Sequence, residues 1–474
     1  MTAASRGRVP RALLLTLAAT VLTVAWAQGA DPEPAGGAAA SDEAAPADPA
    51  LRALLAGVED HPALRAAQRS VDAARAERRA VRFPVSLEGE VGAQRPSTTV
   101  DAQPGVPQEV IDAAEEVEWA TQASVRARLR PFPLGDLADL DAQRRVALAR
   151  AERRLRETRA SLEAAAVQAA AGLLAAEHGV RVAEAGVLLA RDAADATAVR
   201  VERGAARARE VERAELEVAR AEERLRAAEA ARSQAAARLE DLVGPDRTLD
   251  ALPELPAADG EDPAVLAAAD DATLAAVGVA SATRGLLPTA QASYAWSTGD
   301  GAVSLSIETR TFQPTVGYET PDPLTRAASD AGVDVPEGLD VSVEGNLSLG
   351  LSFTLGAENV AAVDAARARL DAAEAAVEAA RREAARASDD RTEAVRAARE
   401  ELAFAREDRR LARADADDTR RRADLGVASP LEAHRADLSA LQADLAVLNT
   451  RIDVLSAQLR GYRELAIPLS EVLP

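Results

Sequence analysis

The sequence contains no cysteine, no lysine and only three histidines among 474 residues. Without cysteine there are no disulfides, thiolate metal sites, cysteine nucleophiles or N-terminal lipidated cysteine. The histidines, His61, His178 and His434, stand far apart and lack metal-ligand spacing. We therefore expect no enzyme activity, no catalytic residues, no cofactor and no metal ion.

Aromatic residues make up only 2% of the chain, although hydrophobic residues make up 48%. The apolar fraction is therefore mostly Ala, Leu and Val, which predicts a helical assembly rather than an aromatic-centred core. The formal net charge is −21. An excess of acids argues against nucleic acid as a partner.

The N-terminus is typical of an export signal. Residues 1–27 combine a basic start, a short apolar stretch and the small-residue cleavage pattern Ala25-Trp26-Ala27. Residues 28–50 are rich in Ala, Pro, Gly and Asp and are expected to form a disordered leader. No later run of about 18 apolar residues follows, so we expect no helical membrane span.

The rest of the chain contains an internal duplication. Leu134-Gly135 and Leu355-Gly356 each precede a very long helical tract, and each tract is interrupted near its far end by Gly204 or Gly426. Such a duplication predicts repeated architecture. The expected helical tracts are 136–202, 207–243, 357–424 and 430–464. The expected domains are a first repeat at 51–250, a linker at 251–261, a second repeat at 262–469 and a tail at 470–474.

The tract 430–464 carries a heptad seam of Leu431, Leu438, Leu445, Ile452 and Leu459. The long tracts also carry extra Ala on their flanking faces, so one helix can contact two neighbours. Antiparallel coiled-coil hairpins of this length cannot bury so much apolar surface alone. We therefore infer lateral assembly between chains.

Segments with strict alternation of apolar and polar residues lie between the helices. Period two predicts strands at 85–91, 119–130, 290–296 and 341–355. The candidate lumen-lining residues are on the polar faces of these strands: Glu88, Glu90, Arg126, Arg128 and Glu344. Such strands fit a transmembrane β-barrel with a wet interior, and an ordinary half-buried sheet is the alternative. Two strands per half cannot close a barrel, so several chains must contribute to one shared β-barrel.

Residues 301–318 leave three interpretations open. Val303-Ser304-Leu305-Ser306-Ile307 also alternates, after a possible hairpin turn at Ser297–Gly301. The segment could be an extra strand, a bulged continuation or a hairpin within a loop.

Several local motifs resemble those of the TolC-like outer membrane efflux proteins. Asp60-His61-Pro62-Ala63-Leu64 is similar to the opening helix of that family, and Pro131-Phe132-Pro133-Leu134-Gly135 to its strand-to-helix entry. The turn from Ala423 to Ala433 is similar to the far end of the family's helical hairpin, and 203–211 is a weaker copy. The ordered duplication carries the resemblance over nearly the whole chain after the leader.

The resemblance implies a mixed α and β membrane protein with an internal two-fold repeat. Three copies would form a homotrimer in which four strands per subunit build one β-barrel in outer membrane lipid. The helices would continue it as a periplasmic α-barrel. The implied function is the passive outer membrane channel of a tripartite efflux or type I secretion system. The alternatives are a periplasmic adaptor or a non-conducting coiled-coil protein of the cell envelope.

In this family the hairpin tips dock a periplasmic adaptor protein and an inner-membrane pump. The matching positions give the candidate adaptor contacts Arg203, Gly204, Leu425, Gly426, Val427 and Ser429. For the two glycines, a purely conformational role at the turn is an equally good interpretation.

Overall fold

A computed structural model describes residues 49–83, 85–94, 120–129, 135–205, 207–245, 247–298, 301–310, 312–320, 346–353 and 356–472. The expected signal peptide, nearly all of the expected leader and Glu344 lie outside these residues. The chain divides into two compact units, which are described separately. The sheet unit contains 79–141 and 284–355, and the helical unit contains 45–78, 142–283 and 356–474.

Helices account for most of the described residues. They are α1 Pro49–Val58, α2 Pro62–Arg82, α3 Asp136–Glu202, α4 Ala208–Val243, α5 Pro263–Gly285, α6 Ala357–Asp424, α7 Pro430–Glu464 and the short α8 Leu469–Val472. The four long helices agree with the expected tracts to within one residue. Helix α3 has 67 residues and α6 has 68, so each is about 100 Å long.

The two shorter repeat helices begin in the same way. In α2 the ring nitrogen Nδ1 of His61 accepts a hydrogen bond from the Ala63 N–H at 3.2 Å. In α5 a carboxylate oxygen of Asp262 accepts one from the Ala264 N–H at 2.8 Å. A side-chain acceptor just before a proline at the first helical position satisfies a free N–H there. The repeat is therefore preserved in its helix starts.

The core of the helical unit lies where several helices meet the linker. Its buried side chains come from α1, the middle of α3, the end of α4, residues 249–255 and the end of α7. The Gln458 amide donates to the Leu255 carbonyl at 2.8 Å, and the Tyr462 hydroxyl donates to the Pro256 carbonyl at 3.0 Å. The linker therefore packs against the end of α7.

Ion pairs join α6 to α7 along much of their length. Arg413 pairs with Asp444 at 2.8 Å, and Arg420 pairs with Asp437 at 2.7 Å. Of the expected heptad seam of α7, Leu459 is buried and the other four members are half-buried. The half-buried seam leaves apolar surface for further packing.

Among the described helices, α5 is long and apolar enough to span a membrane by length and composition alone. Asp270 and Asp271 interrupt its run of apolar residues. Both acids are paired with α3: Asp270 with Arg153, and Asp271 with Arg150 at 2.5 Å. Composition alone does not place this helix in a membrane.

The sheet unit contains one antiparallel sheet. Its described strands are β1 Val85–Gln94, β2 Ala120–Leu129, β3 Thr289–Thr298, β4 Gly301–Glu308, β5 Thr315–Glu319 and β6 Asn346–Ser352. They are ordered β1-β2-β5-β4-β3-β6. Residues 341–345, 354 and 355 of the longest expected strand lie outside the described residues.

Six strands correct the expectation of four per chain. The open question at 301–318 is answered by two strands, β4 and β5, of which only the alternation of β4 was recognised. Strand β4 returns along β3 with Trp296 opposite Val303 and Thr298 opposite Gly301. Strand β5 was missed because Pro314 precedes it and Gly317 interrupts its pattern.

Candidate functional site

The sheet has one polar and one apolar face, and the register keeps them consistent across all six strands. One row runs Glu88, Arg126, Gly317, Ser304, Ala295 and Asn346. The next residue along each strand faces the other way and is mostly apolar. The apolar face is widely exposed: Leu87, Leu349 and Leu351 are 72%, 77% and 66% exposed. An exposed apolar face of this extent marks a surface that contacts lipid or another protein.

Charged residues occupy the polar face on β1 and β2. Glu88 lies directly opposite Arg126 in the register, and its carboxylate pairs with the Arg128 guanidinium at 3.3 Å. Glu90 lies opposite Ser124 on the same face. The structure therefore brings four of the five expected lumen residues to one face, and the fifth, Glu344, lies outside the described residues.

On the other strands the polar face carries mainly hydroxyls and amides. The hydroxyls of Ser293 and Ser348 are 2.5 Å apart across β3 and β6. A side chain at Gly317 would meet the Ser304 hydroxyl at 2.7 Å, so glycine allows close packing here. These residues were not among the lumen candidates named from the sequence. Alternation in 303–307 and in 341–355 was the available signal for those on β4 and β6.

A cluster of ion pairs lies within the sheet unit, where helices begin and end. The first turn of α3 supplies Asp136 and Asp139, while Arg284 from the end of α5 contacts Asp139. Arg310, which follows β4, binds Asp136 at 3.0 Å. The Arg82 guanidinium holds the buried Asp141 carboxylate through two hydrogen bonds of 3.0 and 3.4 Å. Charge pairing therefore fixes the helix ends beside the sheet.

The two hairpin tips of the helical unit share one backbone geometry. Gly204 and Gly426 have φ of +72° and +71°. The residue after each glycine donates its N–H five residues back, from Ala205 to Arg200 and from Val427 to Arg422, both at 2.8 Å. This pattern is a Schellman turn, which favours glycine in the left-handed region. The conformational role therefore accounts for both glycines.

The start of α7 is capped more fully than the start of α4. The Ser429 hydroxyl accepts from the Glu432 N–H at 3.2 Å, and the Glu432 carboxylate accepts from the Ser429 N–H at 2.7 Å. The Ser429 N–H and, at 3.0 Å, the Ser429 hydroxyl both donate to the Glu432 carboxylate, and these bonds, the backbone one first, hold the pKa of Glu432 below its usual value. At α4 the equivalent position is Arg207, whose guanidinium has no acceptor atom. Only the return bond to Glu210 is present there, at 3.4 Å.

The side chains at the two tips differ in chemistry. The second tip presents Leu425 and Val427, which are 79% and 68% exposed. The first tip presents Arg203 and Ala205, both exposed. Within the described residues, no group of three His, Asp or Glu side chains is placed to hold a metal ion.

The profile of outer membrane efflux proteins matches residues 58–245 and 257–462. The chain therefore belongs to the outer membrane efflux protein family. This confirms the resemblance and the expected function as the outer membrane channel component of an efflux system. It also confirms the expected location in the cell outer membrane, with the helical part in the periplasm. The comparisons do not support the alternatives of a periplasmic adaptor or a non-conducting coiled-coil protein of the cell envelope.

Solved structures with the same fold cover most of the chain. A membrane protein from Pseudomonas aeruginosa is 20% identical with a TM-score of 0.60, covering 92% of this chain and 96% of its own. The outer membrane protein VceC from Vibrio cholerae is 18% identical with a TM-score of 0.60, covering 88% and 96%. The CmeC outer membrane channel of Campylobacter jejuni is 14% identical with a TM-score of 0.58, covering 89% and 86%. The comparison with curated protein sequences gives no match.

Proposed function

We propose that three copies of the chain form one passive channel, with the sheets joined into a shared β-barrel and the helices joined into a periplasmic α-barrel. One observation carries this proposal: all six strands turn their apolar residues to one face and their polar residues to the other. In a barrel the apolar face would contact lipid and the polar face would line a wet lumen.

Two free sheet edges support assembly from several copies. Strands β1 and β6 each pair on one side only among the described strands. A membrane-embedded sheet edge would leave N–H and C=O groups unsatisfied in hydrocarbon, so closure must join β1 of one copy to β6 of another. The homotrimer itself comes from the family resemblance.

The lumen would be lined by Glu88, Glu90, Arg126 and Arg128, together with the hydroxyl-rich β3, β4 and β6. The two acids and two arginines of this wall carry opposite charges, and Glu88 is paired with Arg128. Neutral hydroxyls offer weak, exchangeable hydrogen bonds to passing solutes. A lumen of this kind suits a passive conduit without catalytic residues, cofactor or metal ion.

Reconstitution tests the channel directly. The mature protein, expected to begin at Gln28 after signal cleavage, is extracted from outer membranes in mild detergent and added to planar bilayers. We expect heat-sensitive trimers on gels and discrete single-channel conductance steps. A monomer in detergent-free solution, or a trimer without conductance, would refute the proposal.

We further propose that the hairpin tips dock the periplasmic adaptor and, through it, the inner-membrane pump. The exposed Leu425 and Val427 support this role, because exposed apolar side chains are favourable anchors for a partner. Arg203 would add a charged contact at the other tip. Gly204, Gly426 and Ser429 would act through the backbone, by shaping and capping the turns.

A double substitution of Leu425→Glu and Val427→Glu separates docking from conduction. We expect efflux in cells to fall strongly while single-channel conductance stays unchanged. Leu411→Glu is the matched control, since Leu411 is also exposed on α6 but lies away from the tip. Equal loss of efflux in both variants would refute docking at the tip.

A further inference from the structure

Strands β4 and β5 are inserted into the middle of the sheet and do not project from it. Strand β5 pairs with β2 from Ser124 to Arg128 on one side and with β4 on the other. Strand β4 pairs with β3 over its whole length. The two strands therefore separate β2 from β3 within one continuous hydrogen-bonded ladder.

The inserted hairpin carries the same two-faced pattern as its neighbours. Leu305, Ile307 and Val316 are 44%, 46% and 39% exposed on the apolar face. Ser304 and Ser306 lie in the polar rows that include Arg126 and Arg128. A hairpin that folded away from a barrel wall would not need to continue the polar and apolar faces of that wall.

The connection between β4 and β5 is fixed next to the start of α3. Arg310 binds Asp136 in the first turn of that helix at 3.0 Å. The Leu129 N–H at the end of β2 donates to the Pro314 carbonyl at 2.9 Å. The Thr309 N–H donates to the Ala290 carbonyl at 2.9 Å, which ties the same connection to the start of β3. These bonds hold the insertion in register at the helix side of the sheet.

Connectivity also permits this insertion. Strand β3 runs away from α5, β4 runs back, β5 runs away again and β6 returns to α6. With two added strands, the chain still leaves the sheet at the end where β3 began, and α6 can follow from that end. With an odd number of added strands, the chain would leave at the opposite end.

We propose that the β4–β5 hairpin is part of the barrel wall, so that each copy contributes six strands and three copies form an eighteen-stranded barrel. The proposal rests on the trimeric channel proposed above. At a strand spacing of about 4.8 Å and a tilt of about 40°, eighteen strands give a diameter of about 36 Å between backbones. Twelve strands would give about 24 Å by the same geometry. Barrels of 16–18 strands enclose an aqueous channel.

The wider wall has a functional consequence for the exported solute. Between backbones the cross-section would be about twice that of a four-strand design, from the same spacing and tilt. The membrane-embedded section would then admit wider solutes than a wall of four strands per copy.

Disulfide mapping tests the position of the hairpin. The chain has no native cysteine that could form a competing disulfide. Val125 lies opposite Tyr318, Tyr318 opposite Val303, and Val303 opposite Trp296, on one row. Val125 and Trp296 are therefore three strands apart, about 14 Å, which is beyond disulfide reach. If β2 lay beside β3 in a four-strand wall, these two positions would be neighbours.

Two cysteine pairs are compared in purified trimers whose conductance has been verified. We expect V125C/Y318C to cross-link on oxidation and V125C/W296C to remain reduced, with V303C/W296C as the positive control. Cross-linking of V125C/W296C would overturn the proposal. Cryo-electron microscopy of the unmodified trimer gives an independent readout, in which eighteen strands support the proposal and twelve overturn it, even if neither test pair links.

Different results would refute the eighteen-stranded barrel and the trimeric channel. A conducting trimer with a twelve-stranded wall overturns the wide barrel and leaves the proposed channel intact. A protein that neither trimerises nor conducts overturns both.

Discussion

Removing the Ser470 hydroxyl should loosen the C-terminal segment of the helical unit. Glu163 on α3 is only 2% exposed, and its two carboxylate oxygens accept from the Ser470 hydroxyl at 2.6 Å and the Ser470 N–H at 3.1 Å. The Arg159 guanidinium lies 3.7 Å from the same carboxylate. Ser470→Ala removes the shorter hydrogen bond and keeps the other contacts.

The expected size of the effect follows from that one bond. At a pH above the folded pKa of Glu163 the acceptor is a carboxylate, and a hydrogen bond to a charged group contributes about 1.5–3 kcal/mol. The equilibrium for local opening should therefore shift about 10- to 100-fold toward the open state, since about 1.4 kcal/mol is a factor of ten. Hydrogen exchange by mass spectrometry of peptides covering 465–474 measures this shift.

Ser439→Ala is the matched control, because Ser439 is an exposed serine on α7. It should leave exchange in the C-terminal peptides unchanged. If Ser470→Ala also leaves their exchange unchanged, the hydrogen bond to Glu163 does not hold the segment.

The same carboxylate should make the segment sensitive to pH. Burial is the main cause that raises the pKa of Glu163 above its ordinary value of 4.5. The folded state therefore holds the proton more tightly than the unfolded state. Its contribution is complete below pH 4.5 and is lost as pH rises through the folded pKa. Protection in 465–474, corrected for intrinsic exchange, should fall over that range, and Glu163→Gln should abolish this dependence. An equal dependence in wild type and Glu163→Gln would contradict it.

Three further predictions concern turns and anchors, and thermal unfolding in detergent measures all of them. Gly426→Ala should lower the free energy of unfolding by about 1–2 kcal/mol because φ is +71° there. Gly186→Ala should raise it by about 0.5–1 kcal/mol, because Gly186 lies inside α3 and nothing lies within 4 Å of an added Cβ. Ser429→Ala should cost about 1 kcal/mol through loss of the cap, and Arg207→Ala, with no acceptor to lose, should cost far less. Tyr462→Phe should cost about 1 kcal/mol because the Pro256 carbonyl loses its donor, and it should expose the linker to proteolysis. Each explanation would be contradicted if its two proteins were equally stable. The pairs to compare are Gly426→Ala with Gly186→Ala, Ser429→Ala with Arg207→Ala, and Tyr462→Phe with wild type.

The long helices could be predicted from the sequence because their signals are local and repeated. A glycine at each tip, Pro430 after Ser429 and uninterrupted Ala-rich tracts fix the helix bounds without reference to the rest of the fold. The faces of the first strands could also be predicted, since alternation assigns Glu88 to the polar face of β1 and Arg126 to the polar face of β2. The family resemblance supplied the trimer, which no residue pattern here specifies.

The sequence could not predict the sheet order or the pairing partners. Strand β5 has five residues and contains Gly317, so its alternation is too short to recognise. Its place next to β2 depends on contacts between residues almost two hundred positions apart, such as Val125 and Tyr318. The burial of Glu163 against Ser470 is similarly non-local and leaves no periodic signal. Long-range pairing of this kind becomes visible only in three dimensions.

The two tips have the same backbone turn in both repeats, whereas the exposed side chains beside the turn differ. The Schellman turn fixes the glycine and the backbone hydrogen bonds, so Gly204 and Gly426 have almost the same φ. The exposed positions beside them make no contribution to that geometry and have diverged, to Arg203 in one repeat and Leu425 in the other. In a ring of copies, basic and apolar tips would therefore alternate. A partner that docks there must match two kinds of surface in turn, because the repeat is equivalent in backbone but not in chemistry.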